Sequence, residues 1–110
     1  MNLTFIELPP FERFRDENLT DEEYRAFQNE LLDNPEKGDL IQGLNGLRKV
    51  RLADNKRNKG KRGGIRAIYY YFISKDQIYL VTAYGKDKQE DLSIEQRKSL
   101  SKIIDLIKAL

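Results

Sequence analysis

Residues 46–72 read GLRKVRLADNKRNKGKRGGIRAIYYYF, and the way this stretch folds decides the rest of the chain. Its first part, LRKVRLA (47–53), alternates apolar and charged residues. Successive side chains of a strand point to opposite faces, so turning Val50 and Leu52 inward sends Lys49 and Arg51 outward together. DNKRNKGKRGG (54–64) is a loop by every local sign: glycine, asparagine and charge, with no apolar residue. IRAIYYYFIS (65–74) is β-favouring and too apolar for a strand with one wet face, so it suits the middle of a sheet. Strand, loop and strand thus build one positive surface running from Lys49 and Arg51 to Arg66.

Working outward, LTFIEL (3–8) reads as a first strand, ended by Pro9-Pro10. Phe11 and Phe14 lie three apart, which predicts one or two helical turns starting after the prolines. Thr20-Asp21-Glu22-Glu23 has the form of a capping box, and Tyr24, Phe27, Leu31 and Leu32 continue an apolar helical stripe until Asn34-Pro35. Residues 36–46 are turn-rich. After 65–74, a short turn at Lys75-Asp76 leads into QIYLVTAYG (77–85), an antiparallel partner. Ser93-Ile94-Glu95-Gln96 is a second capping box, opening an amphipathic helix marked by Ile94, Leu100, Ile103, Ile104, Ile107 and Leu110. The expected order is β-α-α-β-β-β-α, an α+β domain spanning residues 1–110.

The net charge of +2 conceals a strong asymmetry. Residues 1–42 carry 4 Lys/Arg against 11 Asp/Glu, whereas residues 43–66 carry 9 against one. Like charges packed this closely repel unless something is gained, and a phosphate backbone is the commonest reason. The absence of cysteine rules out disulfides and thiolate chemistry, and the absence of histidine removes the usual general base near neutral pH. No acidic cluster has metal-ligand spacing, no glycine-rich segment fits a P-loop, and no cofactor is expected. With no apolar run near the roughly 20 residues of a membrane span, and no basic segment ahead of an apolar one at the N-terminus, the expectation is a cytoplasmic protein without membrane contact.

Within the tyrosine run, alternation puts Tyr69 and Tyr71 on one face, read as core, while Tyr70 is open between core packing and stacking on a base. Lys86, in Tyr84-Gly85-Lys86-Asp87-Lys88, stands at a strand end beside the basic strands. Glu90 and Asp91 are read as serving the N-terminal dipole of the last helix.

The runs NPEKGDLIQGLNGLRKVRLA, GKRGGIRAIYYYF and TAYGKDKQEDLS together resemble the RelE/HigB-type toxins of bacterial type II toxin–antitoxin modules, over nearly the whole chain. The resemblance implies a small twisted antiparallel sheet packed against helices, as in microbial ribonucleases. It also implies metal-independent cleavage of mRNA in the ribosomal A site, through attack by the substrate's own 2′-hydroxyl. The catalytic cations of that family fall on Lys49, Arg51, Arg66 and Lys86. Arg48, Lys56, Arg57, Lys59, Lys61, Arg62, Tyr70 and Lys88 are the residues expected to bind RNA or ribosome. Some relatives carry an arginine beside the glycine of the fourth strand and a tyrosine before the last helix; here Asp87 and Leu92-Ser93 stand at those places. A lysine crowded by cations releases its proton more readily, so Lys49 and Lys86 are the candidates for general base. Arg51 and Arg66 suit phosphate clamping.

The implied partners are the ribosome with its mRNA and a cognate antitoxin, an acidic, partly disordered chain with a helix-turn-helix part through which the complex reaches operator DNA. Two rivals stand beside the nuclease: a toxin of the same fold acting on a protein such as DNA gyrase, and a non-catalytic RNA-binding module.

Overall fold

From its N-terminus the chain forms strand β1 (Thr4–Glu7), helices α1 (Pro9–Asn18) and α2 (Asp21–Asp33), strands β2 (Asp39–Leu40), β3 (Arg48–Leu52), β4 (Ile65–Phe72) and β5 (Gln77–Gly85), and helix α3 (Ile94–Lys108). The structure, a computed structural model, describes residues 2–52 and 64–110. The cationic loop and its residues Lys56, Arg57, Lys59, Lys61 and Arg62 therefore lie outside the described residues.

The α+β class and the order of the main elements are as the sequence predicts. Two details differ. The sheet has the order β1-β5-β4-β3-β2, and β1 runs parallel to β5 while the other pairs are antiparallel, so the sheet is mixed. The segment read as turns also contributes β2, two residues paired with Lys49 and Arg48. Helix α1 includes the prolines at its first positions, where a missing N–H costs nothing because it would have no helical partner. Both capping boxes form, Thr20 with Glu23 and Ser93 with Gln96. No helix among the described residues is long and apolar enough to cross a membrane.

Strand β4 lies at the centre of the sheet and is covered on both faces. Ile65, Ala67 and Tyr69 join Val50, Leu52, Ile78 and Leu80 against Phe11, Phe27 and Leu31 of α1 and α2. On the other face Ile68 packs with Tyr79, Val81 and Tyr84 against Leu100, Ile104 and Ile107 of α3. Burying a side chain of this size stabilises by about 1.5–3 kcal/mol, so each helix is held chiefly by its apolar stripe. Arg97 donates to the Gln42 carbonyl (2.6 Å) and Lys108 to the Asn45 carbonyl (3.1 Å), fixing α3 along the loop that precedes β3.

One irregularity sets which side chains of β5 face which way. Tyr69 pairs with Leu80 but Ile68 with Thr82, so the register skips Val81. A bulge of this kind shifts the side-chain alternation by one residue. Without it Tyr84 would point toward α1 and α2; with it Tyr84 lies on the α3 face, opposite Arg66.

Tyr69 is fully buried, and its hydroxyl bridges the turn that follows α2: it donates to the Pro35 carbonyl (2.8 Å) and accepts from the Gly38 N–H (2.9 Å). A Cβ at Gly38 would stand 2.9 Å from the Tyr69 ring and 3.0 Å from the Lys49 carbonyl, so only glycine admits this approach. Tyr69→Phe leaves two buried backbone groups unpaired and should destabilise the fold by about 1–3 kcal/mol. In urea denaturation the midpoint is expected to fall with the slope unchanged; an unaltered midpoint would show that the bridge contributes nothing.

Candidate active site

At the end of the α3 face that the helix leaves uncovered, β3, β4 and the end of β5 form the floor of a cleft of about 580 Å³. Its lining is Lys37, Asp39, Lys49, Val50, Arg51, Arg66, Lys86, Glu90 and Asp91. All four sequence-predicted catalytic cations, Lys49, Arg51, Arg66 and Lys86, are therefore brought together. Strand alternation does most of this. Lys49 and Arg51 share the face that Val50 and Leu52 leave, and Arg51 pairs in register with Arg66, which pairs in turn with Tyr84. Lys86 is set by a backbone bond from its N–H to the Gly64 carbonyl (3.1 Å), which ties the end of β5 to the start of β4.

Arg66 is 5% exposed, an unusual position for a guanidinium. Burial lowers its pKa, the Arg51 charge lowers it further, and Tyr84 opposes both. A guanidinium stays charged regardless, so Arg51 and Arg66 form a permanent like-charge pair across two strands. Directly opposed like charges destabilise a sheet. A phosphate group seated between them removes that penalty.

The carboxylates have contacts beyond the helix-dipole role expected of them. Glu90 and Asp91 belong to the cleft, while Ser93 and Gln96 cap α3. Asp91 meets Lys49 at 3.5 Å and accepts the Leu92 N–H at 2.7 Å, both through Oδ1; Glu90 meets Lys86 at 3.8 Å. The Leu92 bond, then the Lys49 and Arg97 charges, hold the Asp91 carboxyl below the usual carboxylate range. The loop is fixed from behind by Gln89, whose amide donates to the Asp91 carbonyl and to Gln96 of the capping box, each at 2.9 Å. Lys49 and Lys86 thus each face a carboxylate as well as other cations, an arrangement the sequence reading did not include. Such exposed pairs are worth about 0–1 kcal/mol, so an incoming phosphate displaces them easily.

The remaining expected contacts are dispersed. Arg48 lies on the other face of β3 and holds the turn after α2, donating to the Gly38 carbonyl (2.7 Å) and pairing with Glu36 (3.2 Å). Tyr70 is half-buried against Phe72, with the Lys108 ammonium 5.9 Å from its ring centroid. Tyr71, read as core, is also half-buried. Lys88 is exposed on the turn after β5. Sequence reasoning missed Lys37, Asp39, Glu90 and Asp91 as parts of this region. Asp39 arrives only by its register opposite Lys49, and Asp91 only by folding back across 42 residues of chain.

No family model matches the sequence. Among solved structures, the chain is similar to the isolated E. coli RelE toxin, with 15% identity, a TM-score of 0.56, and coverage of 93% of this chain and 99% of that one. A free E. coli RelE variant with two arginines changed to alanine gives 14% identity and a TM-score of 0.56 over 82% and 90%. The conserved hypothetical protein HP0892 from Helicobacter pylori gives 18% identity and a TM-score of 0.51 over 79% and 98%. The chain therefore has the RelE toxin fold, with three α-helices and a five-stranded mixed sheet among the described residues.

Burial also governs three phenols. It raises the pKa of Tyr24, Tyr69 and Tyr84, with the Glu7 charge adding at Tyr24 and the Asp91 charge at Tyr84. Between the ordinary value of about 10 and these raised values the folded state binds more protons than the unfolded state, so stability is untouched below about pH 10 and falls above it. In a titration followed at 295 nm, the phenolate signal of these three should emerge only as circular dichroism is lost. Complete ionisation of all six tyrosines in a still-folded chain would contradict this.

Proposed function

We propose that this chain is the toxin of a type II toxin–antitoxin module and that it cleaves mRNA in the ribosomal A site, with ribosome, mRNA and a cognate antitoxin as its partners in the cytoplasm. The observation that carries the reading is the convergence of Lys49, Arg51, Arg66 and Lys86 in one cleft of a RelE fold. Among the described residues five cations stand there against three carboxylates, an excess suited to one bent phosphodiester.

The chemistry follows from the groups present. The 2′-oxygen attacks the adjacent phosphorus, the O2′–P bond forms and the P–O5′ bond breaks, leaving a 2′,3′-cyclic phosphate and a 5′-hydroxyl. The 2′ proton passes to the Lys49–Asp91 pair, whose carboxylate is ionised at neutral pH. Arg51 and Arg66 hold the phosphoryl oxygens and take up the charge of the phosphorane. Lys86 supplies the proton to the leaving 5′-oxygen. The ribosome presents the mRNA in a bent conformation and so supplies the positioning that a shallow cleft lacks. Lys56, Arg57, Lys59, Lys61 and Arg62, with Arg48 and Lys88, add charge for the surrounding RNA, and Tyr70 offers a partly exposed ring.

Induced expression of the wild-type chain should arrest growth and produce mRNA 5′ ends at codon-set positions. Lys49→Ala and Lys86→Ala, both partly exposed, should lower cleavage by about 10²-fold or more without loss of folding. Arg66→Ala should do the same, with a melting curve to separate lost chemistry from lost packing around a buried side chain. Growth arrest by all three variants equal to the wild type would overturn the site, and arrest without new mRNA ends would overturn the nuclease.

A further inference from the structure

We propose that Asp39 is a specificity-determining residue of the cleft: its carboxylate reads the base on the 5′ side of the scissile phosphate and selects guanine. This rests on the ribonuclease reading and names the sequence that the same site prefers.

Among the described residues three carboxylates line the cleft, and two of them are engaged: Asp91 meets Lys49 at 3.5 Å and Glu90 meets Lys86 at 3.8 Å. Asp39, the third, is exposed and makes no side-chain hydrogen bond or ion pair among the described residues. It stands opposite Lys49 in register, yet Lys49 meets Asp91 instead. An ionised carboxylate only accepts hydrogen bonds, so it has no attraction for phosphate; what it can bind on RNA is an N–H or O–H donor. Asp39 is also held in place. Gly38 before it donates its N–H to the Tyr69 hydroxyl (2.9 Å), the Gly38 carbonyl accepts from Arg48 (2.7 Å), and Asp39 itself is paired to β3. An exposed side chain on so fixed a backbone is preorganised for recognition.

Its position selects the base it meets. The sheet order puts β2 at one edge, with β3 and β4 between it and the end of β5 that carries Lys86. From a phosphate held between Arg51 and Arg66, Asp39 lies one and a half strand spacings across and two residues along, or about 10 Å. That is the span from a phosphate to the outer edge of the base on the same nucleotide. The mechanism sets the direction of the RNA: Lys49 stands at the 2′-hydroxyl and Lys86 at the leaving 5′-oxygen, so the chain runs from β2 toward β5. The base beside Asp39 is therefore that of the nucleotide whose 2′-oxygen attacks. On its Watson–Crick edge guanine alone presents two adjacent donors, N1–H and N2–H, which match the two free oxygens of one carboxylate. Adenine and cytosine offer one donor beside an acceptor, and uracil one donor between two acceptors. Single-stranded RNA is commonly read on this edge.

The test is single-turnover cleavage on programmed ribosomes of four mRNAs that differ only in the nucleotide 5′ to the mapped cut. Wild type, Asp39→Asn and Asp39→Ala are compared, each with a melting curve. The readout is the ratio of rates among the four mRNAs, which does not depend on the fraction of enzyme that is folded. Wild type is expected to favour guanine by about 10- to 100-fold, the discrimination of one bidentate pair. Both variants should lose that preference, and Asp39→Asn, which sets an amide donor beside an oxygen, should gain on adenine. Equal cleavage of the four mRNAs by the wild type, or preference for another base, overturns the inference and leaves the ribonuclease standing. A guanine preference that survives in both variants overturns it too, since the base is then read elsewhere. If the variants lose rate uniformly on all four, Asp39 acts at the ribose or in the fold, and the inference fails. Failure of the wild type to cleave any mRNA sinks the ribonuclease reading, and this proposal with it.

Discussion

The register of β4 against its two neighbours is the constraint on which the other elements depend. Because β4 is buried on both faces, a slip by one residue would exchange Ala67 and Tyr69 for Arg66 and Ile68 under α1 and α2, and would put a guanidinium into the larger core cluster. The apolar faces thus fix β3 and β5 in place, and the cations follow without any attraction between them. Lys49, Arg51 and Arg66 share a face because Val50, Leu52, Ile65 and Ala67 must share the other. The skip at Val81 is the one departure from simple alternation along this path, and it joins Tyr84 to the cationic row.

In the cleft Arg51 and Arg66 oppose each other directly, and Asp91 and Glu90 engage the two lysines. The repulsion is tolerated because hydrophobic burial on both faces of β4 outweighs it: each large buried side chain contributes about 1.5–3 kcal/mol, and ten residues form the α1–α2 cluster alone. The stability of the sheet therefore maintains a charge arrangement that local electrostatics would disperse. The same division appears among the polar groups. Tyr69 satisfies two backbone groups inside the fold and belongs to its architecture, whereas the Tyr84 hydroxyl has no hydrogen-bond partner among the described residues.

Much of this was legible in the chain. Capping boxes announced α2 and α3 because the signal is local, a hydroxyl and a carboxyl or amide three residues apart. The alternation in LRKVRLA announced the outward face of β3 for the same reason, and the two-sided apolar run 65–72 announced a central strand. Lys49, Arg51 and Arg66 could be placed on one surface from the sequence because they stand on strands with clear periods, whereas Lys86 joined them as a site residue only through the resemblance to the RelE/HigB-type toxins. The cleft contacts of the carboxylates were not legible. Asp91 lies two residues before an N-cap, where a helix-dipole role is the local expectation, and its partner Lys49 is 42 residues distant.

By itself, then, the sequence determined the elements, their buried faces and the sign of the surface, since all three are written in spacing and charge. The tertiary structure alone decided the parallel pairing of β1 with β5, the return of the Glu90–Asp91 loop onto the lysines, and the side of the sheet on which Tyr84 lies. Each of these depends on which distant segment closes against which, and side-chain alternation carries no information about where a strand will skip a residue. The alternation in LRKVRLA fixed the outward direction of Lys49 and Arg51; the bulge in a different strand set Tyr84 opposite Arg66, because packing of Val81 against α3 and of Ala83 against the opposite core leaves Tyr84 no other face.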